Sequence, residues 1–388
     1  MKTKILLLNV MLIFSIAVFA DNYGNIRKII NVPRDYPTIQ AAIDAATAHD
    51  MVLVAEGTYY ENIRFKGKPI TVASEYIIDG SALHISRTII KGLSAHNSPM
   101  AATVLFIDGE DTTSVLNGFT ITGGHGVLNN TYQRRCGGGI YVLNSGAKII
   151  NNIITGNKVE GVKAGGAGIC CVIDDAEEYW TVIDGNLIKN NNSLSNGHLA
   201  CGGGISIMIN SIIKNNLIEF NTCVNTVGQA HGGGIEIEKL PGTSIVSTIE
   251  NNTIRNNMVE GVNGTAGGGI ASYNATLSIL KNIIKDNQIN TSNVSKGAGV
   301  FVYKSSDILK IQNNRFENNI AYGDYPFGGA LMILQCEITE LTNNQFYKNS
   351  TIATEKGNGG AVWITQSKDM LIIADNVFRD NNAGNMSY

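Results

Sequence analysis

Two glutamates stand two residues apart in the segment Ile235-Glu236-Ile237-Glu238. In an extended strand both carboxylates project from one face, roughly 7 Å apart. Acid and base in inverting glycosidases are roughly 6.5–9.5 Å apart, but they flank the scissile bond from opposite sides. Two carboxylates on one face cannot flank a glycosidic bond from opposite sides. In addition, no neighbouring apolar residue is placed to raise the pKa of either glutamate. We therefore expect Glu236 and Glu238 to hydrogen-bond sugar hydroxyls, and we assign no catalytic residue.

Aromatic side chains recur on the same outward face of related segments. The residues that we predict to bind a ligand are Tyr141, Glu236, Glu238, Tyr273, Phe301, Tyr303 and Trp363. An exposed aromatic row is typical of an interaction surface, and it suits the apolar faces of sugar rings in an extended polymer. The alternative is that long loops from the preceding corner fold over this row and bury it.

Two other groupings contain residue types that bind metals. The acidic segment 174–178 could hold calcium, but it lies on an extended, solvated insertion. Cys201 and His231, with His198 nearby, are soft ligands, but a fourth ligand is absent. We predict neither a metal site nor a cofactor.

The elements that must position these residues follow from a repeat. A glycine signature that ends in an aliphatic residue recurs every 29 to 36 residues. Its eight copies end at Ile140, Ile169, Ile205, Ile235, Ile270, Val300, Leu331 and Val362. Apolar residues alternate after each copy, which predicts a strand. Units of about 30 residues are too short for separate cores, so they must stack.

Two asparagines five residues apart occur once in each repeat. The first members are Asn152, Asn186, Asn216, Asn252, Asn282, Asn314, Asn344 and Asn376. The second members are Asn157, Asn191, Asn221, Asn257, Asn287, Asn319, Asn349 and Asn381. We interpret them as corner residues that tolerate the left-handed backbone region. Their amides would hydrogen-bond from coil to coil as a structural ladder, without binding a ligand.

Three short strands per repeat, stacked in parallel, predict an all-β fold. The expected architecture is a right-handed parallel β-helix, a single-stranded solenoid with three strands per coil. The predicted divisions are a signal peptide at 1–20, an N-terminal cap and first strand at 21–60, irregular early coils at 61–135, and regular coils at 136–388.

The predicted cap is an amphipathic helix. Ile39, Ala42, Ile43 and Ala46 recur at helical spacing behind Thr38, a typical N-cap residue. A helix over the first coil would cover an open strand stack. No matching cap precedes the end of the sequence, and we expect truncation at the C terminus.

The first residues indicate export. Lys2 and Lys4 precede an apolar run, and Val18-x-Ala20 resembles a cleavage site. The run of about 15 residues is short for a membrane span, and no later stretch is long enough to cross a membrane. A net charge of −3 leaves no basic footprint for nucleic acid. The six cysteines lack C-x-x-C spacing, so we expect scattered buried thiols and no disulfide scaffold.

Several segments resemble known families. Residues 36–43, with Val54-x-x-Gly57-x-Tyr59-x-Glu61, resemble the start of pectin-lyase-like β-helix proteins. The glycine signatures are similar to those of secreted bacterial β-helix repeat proteins. The late Phe-x-x-Asn motifs at 316–319, 346–349 and 378–381 resemble repeats of polymorphic outer-membrane proteins. The resemblance covers nearly the whole mature chain, but the fold hosts lyases, hydrolases, esterases and adhesins.

These observations favour a secreted or cell-surface protein that binds extracellular polysaccharide, or acts as an adhesin, without catalysis. The alternative is a carbohydrate-active enzyme, a polysaccharide lyase or glycoside hydrolase acting on acidic polysaccharide. Of the polygalacturonase-like motifs only Gly124-His125-Gly126 has an echo here. A third possibility is purely structural display.

Overall fold

The computed structural model describes residues 26–385, except 94–97, 176, 306 and 368. The predicted signal peptide and the last three residues lie outside the described residues. The described chain is all-β: mostly parallel strands stack as a β-solenoid of about 10 turns, with three short helices. The helices are α1 (Ile39–Ala45), α2 (Tyr76–Asp79) and α3 (Ala82–Arg87).

Three sheets enclose the core. The twelve strands of sheet A are Ile29–Val32, Met51–Val54, Thr71–Ser74, Val115–Asn117, Ala147–Ile150, Trp180–Asp184, Asn210–Lys214, Val246–Glu250, Thr276–Leu280, Leu309–Gln312, Ile338–Thr342 and Met370–Ala374. The eleven strands of sheet B are Gly57–Tyr60, Thr88–Lys91, Thr120–Thr122, Ile153–Thr155, Leu187–Lys189, Leu217–Glu219, Thr253–Arg255, Ile283–Lys285, Arg315–Glu317, Gln345–Tyr347 and Val377–Arg379. The ten strands of sheet C are Ile63–Arg64, Val104–Phe106, Ile140–Leu143, Ile169–Val172, Ile205–Ile207, Ile235–Glu238, Ile270–Tyr273, Val300–Tyr303, Leu331–Leu334 and Val362–Thr365.

A fourth sheet, sheet D, is formed in the later coils by the segments between the second asparagine and the glycine signature, and in the early coils by three strands within residues 100–136. Its fifteen strands are Met100–Ala101, Gly126–Asn129, Arg134–Cys136, Lys158–Gly165, Asn192–Cys201, Thr222–Asn225, Gln229–His231, Met258–Gly261, Thr265–Ala266, Gln288–Thr291, Val294–Lys296, Ile320–Gly323, Tyr325–Phe327, Ser350–Ala353 and Asn382–Asn385. A regular coil therefore has more than the three strands that the sequence predicts.

Within a coil, the chain leaves the corner along one segment of sheet D and returns along a second segment. The two segments pack against each other through small side chains such as Cys223 and Ala230. The asparagine side chain of Asn225 also donates to the carbonyl of Gln229. We call the segments that end at a glycine signature the returning strands.

The solenoid core is built from the alternating apolar positions. The column two residues after each first asparagine is fully buried from Ile154 to Phe346. Phe316, Phe346 and Phe378 stack with ring centroids 4.8 Å apart at each step. Strand neighbours are in register, as in the pairing of Ile254 with Ile284. Equivalent side chains of successive coils therefore lie directly above one another.

The asparagine ladder is confirmed. The Nδ2 of Asn252 donates to Oδ1 of Asn282 at 3.1 Å and to the carbonyl of Ile213 at 2.8 Å. Its Oδ1 accepts from the backbone N–H of Asn216 at 2.9 Å. The same pattern repeats in the second column. Since these amides are almost fully buried, the ladder satisfies polar groups that water cannot reach.

The left-handed backbone, however, lies one residue earlier than predicted. Positive φ angles are found at Asn151, Asn215 and Asn251, each directly before a ladder asparagine, with φ of 55° at Asn251. The ladder asparagines do not have positive φ. One left-handed residue makes the bend, and the next residue can then direct its amide inward along the stack.

The predicted cap helix is confirmed. The Oγ1 of Thr38 accepts from the backbone N–H of Ala41 at 3.1 Å, and Ile39, Ala42 and Ile43 are buried in the solenoid core. The carboxylate of Glu61 accepts from two further N–H groups at the helix start. None of the helices in the described part of the chain has the length and apolar character that a bilayer span requires.

Candidate functional site

The predicted ligand-binding residues do occupy the outer face of sheet C. Glu238, Tyr273 and Tyr303 are paired in register on three successive strands. Glu236, two residues before Glu238, is aligned with Ala271 and Phe301. The sequence therefore placed these side chains on the correct face.

The returning strands cover part of that face, which corrects the expectation of a fully exposed row. Tyr141, Glu236 and Phe301 are only 1%, 1% and 2% exposed. The hydroxyl of Tyr141 accepts from Nδ2 of Asn129 in sheet D at 3.0 Å. These three residues cannot contact a polymer outside the protein, because they are buried beneath neighbouring segments of the chain. For them the alternative interpretation, burial under the corner segments, is right.

Residues that directly precede glycine signatures make the covering contacts. The ring of His231 lies 4.8 Å from that of Tyr273, and the ring of Phe327 lies 5.4 Å from that of Trp363. The Nζ of Lys296 lies 5.7 Å from the centroid of the Phe301 ring. Burial lowers the pKa of His231 to about 3, so the imidazole is neutral at physiological pH.

The two glutamates share one buried arginine. The guanidinium of Arg134, on a returning strand, lies 3.1 Å from Oε2 of Glu238 and 4.0 Å from Oε2 of Glu236. The hydroxyl of Ser206 donates to Oε2 of Glu236 at 2.9 Å. Burial raises the pKa of Glu236 to about 7, although Arg134 opposes this shift. Both carboxyl groups therefore face the arginine, and they do not flank a space for a substrate.

Three of the predicted aromatic residues form a half-buried surface together with Phe327, which was not predicted; we call this surface the aromatic margin. It consists of Tyr273, Tyr303, Phe327 and Trp363, with the side chains of Lys296 and Lys304 beside them. The ring centroids of Tyr273 and Tyr303 are 6.3 Å apart, with planes inclined by 62°. The Nζ of Lys304 lies 4.8 Å from the Tyr303 centroid. With strands about 4.8 Å apart, these four coils span roughly 14 Å.

The aromatic margin offers aromatic faces beside ammonium groups. Tyr303 and Trp363 present apolar surface that is neither core nor freely exposed. Lys304 is exposed, whereas burial lowers the pKa of the half-buried Lys296. Such a surface can stack on sugar rings and attract hydroxyl or carboxylate groups.

Sequence reasoning missed Arg134, Lys296 and Phe327 as parts of this region. Lys296 and Phe327 directly precede a glycine signature, and Arg134 stands two residues before that position. That spacing was the available signal. It could not be used because nothing local indicates that the segment turns back over sheet C.

A separate cavity of about 250 Å³ is lined on one side by Asp175, Glu177 and Glu178 and on another by residues 242–245. Met208, Ile209 and Asn210 also line it. Within the described residues, no group of three or more His, Cys, Asp or Glu side chains is arranged to hold a metal ion. Cys201 and His231 are paired across neighbouring strands and are both buried.

The fold and this surface can be compared with known proteins. A family model with the description "Protein of unknown function (DUF1565)" matches residues 31–241, which is more than half of the chain. The matched region runs from the cap to the sheet C strand that carries Glu236 and Glu238. That family is of β-helix type, in agreement with the solenoid. No curated protein and no solved structure matches the chain.

Proposed function

The chain belongs to the family Protein of unknown function (DUF1565), and we propose that it binds an extended extracellular polysaccharide along the aromatic margin without cleaving it. One observation carries this proposal: Tyr273 and Tyr303 are half-buried and aligned in register, and the ammonium group of Lys304 lies beside the ring of Tyr303. Half-buried rings are held in place by their neighbours, so little side-chain entropy is lost when a ligand stacks on them.

The geometry suits a linear polymer. The strands of sheet C repeat at about 4.8 Å, so equivalent side chains form a row parallel to the solenoid axis. Tyr273, Tyr303 and Trp363 lie on this row or directly beside it. A chain of sugar rings running along the axis would meet successive aromatic faces. The ammonium group of Lys304 would then favour a polymer that carries carboxylates.

The arrangement of the glutamates favours binding without turnover. Glu236 is 1% exposed, and Glu238 is paired with Arg134. A general acid must reach the leaving oxygen of the glycosidic bond, which Glu236 cannot do beneath sheet D. We keep the enzyme alternative, a lyase or glycoside hydrolase, as an outcome of the experiments below. The pKa of Glu236, about 7, is the one feature in its favour.

We also propose that the protein acts outside the cell or at the cell surface. The support is the sequence of the first 20 residues, with two lysines followed by an apolar run and small residues. Detection of the mature N terminus in the exported fraction of a producing cell would support this location. Retention of the full chain in the cytoplasm would contradict it.

Retention on immobilised polysaccharides tests the binding proposal. A panel of neutral and acidic polymers should include at least one that retards the wild-type chain. We expect Tyr303→Ala to weaken that retention roughly five-fold, from the loss of one stacking face. Tyr347→Ala is the matched control, because Tyr347 is a half-buried tyrosine on the outer face of sheet B. Equal losses for both variants, or no retention by any polymer, would contradict the proposal.

Product analysis tests the absence of cleavage. Reducing ends and unsaturated products are measured separately after long incubation with each retained polymer, and we expect neither to increase. If the wild type cleaves a polymer and Glu236→Gln abolishes cleavage while retention persists, the enzyme alternative replaces the binding proposal.

A further inference from the structure

We propose that the cavity lined by Asp175 and Met208 binds a small hydroxylated amine, of which an amino sugar monosaccharide is the simplest example. The site is separate from the aromatic margin, and the inference does not depend on the proposed function. Its volume of about 250 Å³ is below the roughly 300–1,000 Å³ of pockets that enclose drug-sized ligands. The cavity therefore suits a single small ring rather than a polymer chain.

The cavity follows from the unequal lengths of three successive corners between sheet C and sheet A. The first corner spans residues 173–179 and the third spans residues 239–245, whereas the corner between them consists of Met208 and Ile209. A short corner flanked by two longer ones leaves space beside itself. Residues from all three corners line the cavity.

The amide of Asn210 supplies a hydrogen-bond donor that the protein does not use. The side chain lines the cavity and is 5% exposed. Its Oδ1 accepts from the backbone N–H of Val246 at 2.9 Å, which fixes the orientation of the amide. Among the described residues Nδ2 has no acceptor, although buried polar groups are normally paired. An oxygen atom of a bound ligand would satisfy this donor.

Three carboxylates line the same cavity, those of Asp175, Glu177 and Glu178. Asp175 accepts from the hydroxyl of Tyr179 at 2.9 Å and from the backbone N–H of Glu177 at 3.1 Å. Within the part of the chain that the structure describes, no lysine, arginine or histidine forms an ion pair with any of the three. Their negative charge is therefore available to attract a cation.

Apolar side chains complete the lining of the cavity. Ile173, Met208, Ile209 and Ile245 are at most 6% exposed, and Tyr179 is half-buried. Burial and the hydrogen bond to Asp175 raise the pKa of Tyr179 to about 12, so its hydroxyl stays protonated. Apolar walls with a few fixed polar groups are typical of sites for small organic molecules.

These features together select the ligand by its chemistry. The carboxylates favour an ammonium group, the amide of Asn210 needs an oxygen acceptor, and the apolar side chains favour a compact carbon skeleton. A polyamine provides no oxygen, and a neutral sugar provides no charge. A metal ion is a poor candidate, because the described residues contain no group of three or more His, Cys, Asp or Glu side chains that could hold one.

Isothermal titration calorimetry of the full chain tests the inference, with glucosamine as the probe. At a pH where the amine is protonated, we expect glucosamine to bind with a dissociation constant in the millimolar range, and more weakly at high salt. Glucose lacks the ammonium group and putrescine lacks an oxygen acceptor, so each should bind at least roughly five-fold more weakly. No binding of glucosamine, or equal affinity for glucose or putrescine, would overturn the proposal.

Variants of exposed glutamates locate the site. Glu177→Gln and Glu178→Gln each remove one negative charge from the cavity, and each should weaken glucosamine binding roughly three-fold. Glu260→Gln is the matched control, because Glu260 is an exposed glutamate outside the cavity, and it should leave the affinity unchanged. Unchanged affinity in both cavity variants, or an equal loss in the control, would show that glucosamine binds elsewhere and would overturn the proposal.

A variant of Asn210 tests the role of its amide. Asn210→Leu removes the unused donor, and it should weaken glucosamine binding roughly five-fold while leaving putrescine binding unchanged. Far-UV circular dichroism checks that the variant folds, and if it does not, the two glutamate variants still decide. An equal loss of affinity for both ligands in a folded variant would contradict the assignment of the amide to a ligand oxygen.

Discussion

Replacing Asn252 by alanine removes one rung from the asparagine ladder in the middle of the solenoid. The amide of Asn252 donates to the carbonyls of Ile213 and Glu250 and to Oδ1 of Asn282. Its own Oδ1 accepts from the backbone N–H and the Nδ2 of Asn216. The side chain is 1% exposed, so water cannot replace these bonds.

The expected cost follows from the groups that lose their partner. The backbone N–H of Asn216 loses the acceptor that Asn252 provides, and the carbonyl of Ile213 loses a donor. A buried polar group left unsatisfied costs about 1–3 kcal/mol. We therefore expect Asn252→Ala to lower the free energy of unfolding by about 3 kcal/mol. Thr253→Ala, at the next position on the outer face of sheet B, should lower it by less than about 0.5 kcal/mol.

The assay is urea denaturation followed by far-UV circular dichroism, with both variants and the wild type measured together. Because stacked repeats can lose two-state behaviour, the midpoint of the first transition is compared as well as the fitted free energy. A matched midpoint for Asn252→Ala and Thr253→Ala would refute the ladder argument. It would mean that the amide column contributes nothing beyond an ordinary surface side chain.

Further predictions concern backbone strain, a buried carboxyl group and helix content. Phe220 has a φ angle of 55°, and its side chain is 50% exposed. Phe220→Asn should raise the free energy of unfolding by about 1 kcal/mol, because asparagine tolerates the left-handed backbone region with less strain. A variant that unfolds at lower urea than the wild type would contradict this. Because burial raises the pKa of Glu236 to about 7 in the folded protein, its stabilising contribution is fully present below about pH 4.5 and is lost as the pH rises to 7. The groups that face Glu236 are Arg134, Cys201, Glu238 and Tyr273. Near pH 4.5, Glu236→Gln and the wild type should have the same urea midpoint of unfolding, and near pH 8 the variant should have the higher midpoint. A lower midpoint for the variant near pH 8 would disprove the raised pKa. Far-UV circular dichroism of the chain should show β-sheet with little helix, since the described residues form three short helices, and a helix fraction above roughly a quarter would be incompatible with the period-2 strands.

The solenoid could be predicted because its signals are local and periodic. Each first-column asparagine from Asn152 to Asn344, such as Asn252, is followed two residues later by a buried column residue, such as Ile254. The helix behind Thr38 carries its own N-cap and apolar spacing. In such cases a few residues determine the local structure, and stacking repeats it.

The covering of sheet C could not be predicted for the opposite reason. The returning strands are as short as Thr265–Ala266, too short to show a period of two. Whether such a segment turns outward or folds back depends on contacts with residues far away in sequence, such as Tyr273 with His231. We predicted the left-handed backbone at the ladder asparagine, one residue too late, for a related reason. Asn251 and Asn252 are the same residue type, and only the stacked structure shows that the first has the positive φ angle and the second forms the ladder hydrogen bonds.

The most direct test of polysaccharide binding without cleavage is a crystal structure of the chain with an oligosaccharide from a retained polymer. The account predicts sugar rings that stack on Tyr273 and Tyr303 and extend towards Trp363, with their glycosidic bonds intact. An oligosaccharide in the cavity lined by Asp175 and Met208, or cleaved products beside Glu236, would contradict it.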